Sequence, residues 1–111
     1  MDSRVEAFFQ SVKGKRVTFC GIGGSNLPLI ALFQEKGAVV SARDRRTREA
    51  LGKTGDSLEA RGVTLHLGET YLQNLDEDII FRTPGMKFTL PELEAARARG
   101  AAVTSEMEIF F

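Results

Sequence analysis

Gly21, Gly23 and Gly24, followed at once by Ser25 and Asn26, are residue types that suit holding a phosphate rather than breaking a bond. They lie in the stretch VTFCGIGGSN (17–26), which reads as an apolar strand running into a glycine turn that opens a helix. Glycine lets the backbone bend sharply and approach a ligand, and Ser25 or Asn26 can cap the helix that follows. Free amides at such a helix start, together with the positive end of its dipole, make an anion site suited to a diphosphate. The dipole contributes about 0.3–1 kcal/mol, so it orients an anion more than it drives binding. Asp44 stands about twenty residues beyond the turn, where nucleotide-binding folds place an acid near a ribose or base. Arg45 and Arg46 follow it, and can pair with phosphate or pack flat on a base. A further sharp loop, Thr83-Pro84-Gly85-Met86, offers a hydroxyl at Thr83 and close backbone approach at Gly85. The combination points to nucleotide handling.

Other chemistries find no support. His66 is the only histidine and has no cysteine partner at metal-ligand spacing, so it reads as structural. Cys20 ends an apolar strand without a base nearby in sequence, and Glu106 and Glu108 flank a helix start where they complement its dipole. The phosphate loop G-x-x-x-x-G-K-[ST] is absent. Even the dinucleotide pattern G-x-G-x-x-G is incomplete, because Asn26 replaces its third glycine. No residue set makes a catalyst, and none makes a metal centre.

These residues must be positioned by one domain, since the chain has 111 residues. Fifteen basic and fifteen acidic side chains cancel, so no global charge draws it to nucleic acid or membrane. The apolar share of 42% is that of a globular protein, and no segment is apolar for long enough to span a bilayer. Residues 1–16 lack the continuous apolar core of a signal peptide, and the single cysteine fits a reducing cytoplasm.

Helix and strand signals alternate throughout. Val5, Phe8, Phe9 and Val12 predict a short amphipathic helix over about 1–13. Strand one covers 16–20, a helix 27–36 stops at Gly37, and strand two covers 38–42. A poorer helix over 48–61 is interrupted by Gly52 and Gly55, and strand three covers 63–67. Tyr71, Leu72 and Leu75 suggest a brief helical turn before strand four at 78–82. A helix over 90–99, with Pro91 in its first turn, leads to strand five at 102–104, and 106–111 begins another helix. Strands alternating with helices predict a Rossmann-like, doubly wound α/β fold with about five mainly parallel strands and helices on both faces.

The motifs occur in a specific order: GKRVTFCGIGGSNLPLIALFQEKGAVVSARD, VTLHLGE, DIIFRTPGM and LEAARARGAAVTSEMEIFF. In this order the chain resembles the N-terminal domain of the D-glutamate-adding Mur ligases, the MurD family, from about Gly14 onward. The resemblance implies a parent enzyme of the bacterial cytoplasm that joins D-glutamate to UDP-N-acetylmuramoyl-L-alanine in peptidoglycan synthesis. ATP and magnesium would serve that parent through an acyl phosphate, while this domain would need no cofactor and would be inactive alone. Residues 106–111 would begin the link to a central ATP-binding domain, with a C-terminal domain beyond it. The family's task for this domain is to hold the UDP end of the substrate. Gly23, Gly24, Ser25 and Asn26 then fall at the diphosphate and ribose, Asp44 and Arg45 at the uracil with Arg46 beside it, and Thr83 with Gly85 at the pocket wall. Asn26 and Arg45 depart from the family pattern, which usually has glycine and a smaller hydroxyl residue at these positions. The alternative is an NAD(P)-binding Rossmann domain of an oxidoreductase or of a regulatory sensor. The T-P-G-M loop and the S-E-M-E ending have no role in that reading.

Overall fold

A computed structural model of the chain describes residues 3–22, 26–82 and 90–104, and for residues 3–5, 8 and 9 the backbone alone. Its elements run α1 (Ser3–Val12), β1 (Arg16–Cys20), α2 (Asn26–Glu35), β2 (Val39–Asp44), α3 (Arg48–Leu51), α4 (Lys53–Ala60), β3 (Thr64–Leu67), β4 (Ile79–Phe81), α5 (Pro91–Ala98) and β5 (Ala102–Thr104). Among the described residues the four strand pairings are all parallel, in the order β3-β2-β1-β4-β5. The predicted α/β class therefore holds, with the order reversing between β1 and β4.

Strand alternation sorts the side chains onto two faces. Val17 and Phe19 of β1, Val40 and Ala42 of β2, and Phe81 of β4 share one core with Leu29, Ile30 and Phe33 of α2 and Leu58 of α4. Phe19 stacks on Phe81 at 4.8 Å, and Phe33 meets both rings edge-on at 5.4 and 5.1 Å. That trio fastens α2 beneath the place where the strand order reverses. On the opposite face Cys20 and Ile80 pack with Leu72 and with Leu93 and Ala96 of α5. Helices therefore cover both faces, as a parallel sheet requires.

Several expectations are corrected. β2 runs to Asp44 rather than stopping at residue 42, so the acid closes the strand itself. The helix over 48–61 is two helices broken at Gly52, whose φ of +53° suits glycine; Gly55 lies inside α4 without interrupting it. The helical turn expected around Tyr71 is a run of turns with no helix, and strand four is shortened to Ile79–Phe81. The expected helix at 106–111 lies outside the described residues.

Candidate functional site

β1 and β2 end side by side, with Cys20 opposite Arg43, and the Gly21 amide extends the ladder to the Arg43 carbonyl at 2.6 Å. Gly21 has a φ of +105°, a backbone conformation that L side chains rarely adopt. This bend turns the Ile22 amide onto the Asp44 carboxylate, to which it donates at 2.8 Å through Oδ2. The acid closing β2 thus holds the first step of the glycine turn.

Asp44 is 9% exposed, and its two oxygens accept from four donors among the described residues. Besides the Ile22 amide they are the Arg46 amide at 2.8 Å, Arg46 Nε at 3.1 Å and Arg46 Nη2 at 3.0 Å. Burial pushes the Asp44 carboxyl up, but the hydrogen bonds from the Arg46 side chain, the Arg46 amide and the Ile22 amide outweigh it. Its pKa lies below the usual carboxylate value. The same carboxylate holds the Arg46 guanidinium above its ordinary value. Arg46 also donates to the Ile22 carbonyl, so one side chain straps the end of β2 to the turn. It is the replaceable partner, because its side chain is 51% exposed whereas the Ile22 amide belongs to the backbone.

Asn26 begins α2 and is buried, and its Nδ2 donates to the Gly21 carbonyl at 2.7 Å. That polarity is the reverse of a helix cap: the side chain ties the two ends of the glycine turn together. Pro28 sits in the first turn of α2 and has no amide to offer an anion. Arg45 is exposed, with its guanidinium carbon 5.9 Å above the centre of the Tyr71 ring. The structure therefore gathers Asn26, Asp44, Arg45 and Arg46 at the carboxyl end of β1 and β2. Gly23, Gly24, Ser25, Thr83 and Gly85 lie outside the described residues.

The residue most conspicuously missed by sequence reasoning is Arg43, which the sequence analysis gave no role. It is fully buried on the second face. Its guanidinium donates to Glu77 at 3.0 Å, to Thr18 Oγ1 at 3.2 Å, and to the carbonyls of Tyr71, Gln73 and Asn74 at 2.9, 2.8 and 3.1 Å. Ser41 Oγ also reaches Glu77, at 3.3 Å. Arg99 takes the carbonyls of Leu75 and Glu77, both at 2.6 Å. Two arginines thus cap an irregular segment whose carbonyls have no helix to use.

Cys20 is buried, and burial pushes its thiol up to about 12, so it is a packing group rather than a nucleophile. Burial and then the charge of Arg43 hold His66 below its ordinary pKa. Among the described residues no group of histidine, cysteine, aspartate or glutamate is arranged to hold a metal ion. No described helix is long and apolar enough to cross a membrane.

Comparison with known proteins shows the family and the fold. Residues 15–105 match the family described as Mur ligase MurD-like, N-terminal domain. The chain is 47% identical over 111 residues to a UDP-N-acetylmuramoylalanine–D-glutamate ligase of Clostridium botulinum, and that alignment covers 99% of the chain but 24% of the relative. The enzyme of the same name from Acetivibrio thermocellus is 41% identical, with 100% and 24% covered. Among solved structures, the UDP-N-acetylmuramate–alanine ligase MurC of Thermotoga maritima superposes with a TM-score of 0.66 at 19% identity, over 86% of this chain and 22% of that one. A chorismate mutase/shikimate 5-dehydrogenase fusion protein of Clostridium acetobutylicum superposes at 0.62 and 14% identity, over 96% and 47%. At those identities the two structures speak for the fold alone.

Proposed function

The chain belongs to the Mur ligase family, as a MurD-like N-terminal domain, and on that premise we propose that it holds the UDP end of UDP-N-acetylmuramoyl-L-alanine. It spans about a quarter of its relatives' length, 24%. The parent reaction is then the joining of D-glutamate to that substrate with ATP and magnesium, in the bacterial cytoplasm. The chemistry belongs to domains beyond this one, and this domain alone is inactive.

The observation that carries the reading is the Asp44 carboxylate at the end of β2, fixed on the Ile22 amide of the glycine turn. Ligands of open α/β sheets bind outside the carboxyl ends of the strands, where the strand order reverses. A uracil N–H or ribose hydroxyl takes the acceptor sites that Arg46 occupies, and the freed guanidinium turns to the diphosphate. In that exchange Asp44 keeps its bond to Ile22, so the turn stays formed while the ligand binds. Gly23, Gly24, Ser25 and Asn26 serve the diphosphate and ribose, Arg45 the uracil, and Thr83 with Gly85 the pocket wall.

Amide-resolved NMR titrations with UDP-N-acetylmuramoyl-L-alanine, UDP and NADH test this directly. Shifts at Ile22, Asn26 and Asp44–Arg46 with both UDP compounds are expected. The same residues answering to NADH alone would transfer the site to the dinucleotide-binding reading.

A further inference from the structure

The exposed guanidinium of Arg45 and the ring beneath it suggest more than a surface contact. A long cationic side chain loses rotamer freedom when fixed over a ring, and such a pair at an exposed site returns only about 0.5–1 kcal/mol. Here the ring is held from below at no cost to Arg45. Tyr71 packs against the cluster of Cys20, Leu72, Ile80, Leu93 and Ala96. Its carbonyl is tied to the buried Arg43 guanidinium at 2.9 Å. Its amide donates to the Gly68 carbonyl at 3.2 Å, and the Gly68 amide donates in turn to the Asp44 carbonyl at 3.1 Å. Two backbone hydrogen bonds therefore connect the ring to the acid at the end of β2.

From this juxtaposition we infer that Tyr71 and Arg45 form a wall for the base of the bound nucleotide, with Tyr71 the residue that positions Arg45. The inference rests on the UDP-binding reading above. A guanidinium is planar and has two faces. Its central carbon lies 5.9 Å from the centre of the Tyr71 ring, and the side chain is exposed one residue from the Asp44 carboxylate. A pyrimidine whose polar edge meets Asp44 stacks there. The wall recognises a flat ring and is indifferent to a bare diphosphate.

Tyr71 is the only tyrosine and the chain has no tryptophan, so its ring signals are a single, unambiguous probe. The 111-residue chain is titrated with UDP and separately with inorganic pyrophosphate, following the Tyr71 ring protons and the amides of Ile22, Asp44 and Arg46. UDP is expected to move both sets, and pyrophosphate to leave the ring unmoved. Tyr71→Leu is expected to weaken UDP about fivefold while leaving pyrophosphate affinity unchanged. Tyr71→Phe retains the ring and is expected to bind UDP within about twofold of the parent chain. Arg45→Met, an exposed change that leaves the fold intact, is expected to weaken UDP about fivefold. If UDP moves the three amides while the Tyr71 ring stays still, the wall is refuted and the UDP site survives. A ring that answers equally to pyrophosphate also refutes the wall. If UDP moves neither set, the UDP reading itself falls, and the wall with it.

Discussion

Asp44 accepts from four donors with two oxygens, and this arrangement fixes how the chain responds to acid. Its folded pKa lies below the ordinary 3.8, so the unfolded chain takes up the proton first as the pH falls. The stabilisation from Asp44 is complete above that value and is lost as the pH drops through the lower, folded one. Asp44→Asn keeps one acceptor but removes the charge, and at pH 6 it is expected to cost about 1–3 kcal/mol in urea unfolding. The gap between variant and parent should narrow below pH 3.8; a gap independent of pH would show that the charge contributes nothing. His66 has the same sign by another cause. Burial and the nearby Arg43 hold it below 6.5, so the unfolded chain binds a proton first and stability declines as the pH falls beneath that value. As the only histidine, it gives one NMR titration, whose midpoint is expected below 6.5. A midpoint at or above 6.5 would mean that Arg43 and burial do not act on it.

Between β3 and β4 the sheet's second face is covered by irregular backbone rather than by a long helix, and Arg43 makes this possible. Its five described partners are Thr18, Tyr71, Gln73, Asn74 and Glu77. Arg43→Met strands three carbonyls and leaves the Glu77 carboxylate, 8% exposed, without its cation. Breaking a buried pair from one side costs about 3–5 kcal/mol. Glu77→Gln keeps an acceptor for the guanidinium, and is expected to cost about 1–3 kcal/mol. Urea midpoints of the two variants check the order, and equal losses would remove the carbonyl cap from the account. Little of this was legible in the sequence. The bend at Gly21, the acid ending strand two and the strand–helix alternation were readable, because each depends on neighbours within a few residues or on a known spacing. The partners of Arg43 in the irregular segment lie 28 to 34 residues away, and nothing local marks them. One signal was available: in VVSARD, Arg43 shares the parity of Ser41 in a strand that a parallel sheet buries on both faces. The split of 48–61 at Gly52 followed the glycine, whereas Gly55 fits α4 because it leaves room for the Arg48 guanidinium, 2.7 Å from where its Cβ would stand.

At the scale of the whole molecule, affinity follows from how much of the ligand one domain can enclose. The described site is an edge of a sheet, with Asp44 and Arg46 on its floor and Arg45 over Tyr71 at its side. Such an edge leaves much of a nucleotide sugar in water, and binding sites that hold small ligands tightly bury 70–90% of their surface or more. The chain alone is therefore expected to bind UDP with a Kd near about 1 mM, or about −4 kcal/mol. On the proposed function, further walls come from the remaining three-quarters of a ligase of the length of its relatives. No new hydrogen bond at Asp44 is needed for that gain, because exclusion of water strengthens those already present. Calorimetric titration of both proteins with UDP is expected to give at least about a tenfold tighter Kd for the longer one, or about 1.4 kcal/mol. Asp44→Asn should weaken UDP binding by a similar factor in each, since the acid is met in the same way with or without the added walls. Equal affinity in the two proteins would mean that this edge alone provides the whole UDP site. A loss confined to the longer protein would overturn Asp44 as a contact of the nucleotide in this domain's own site.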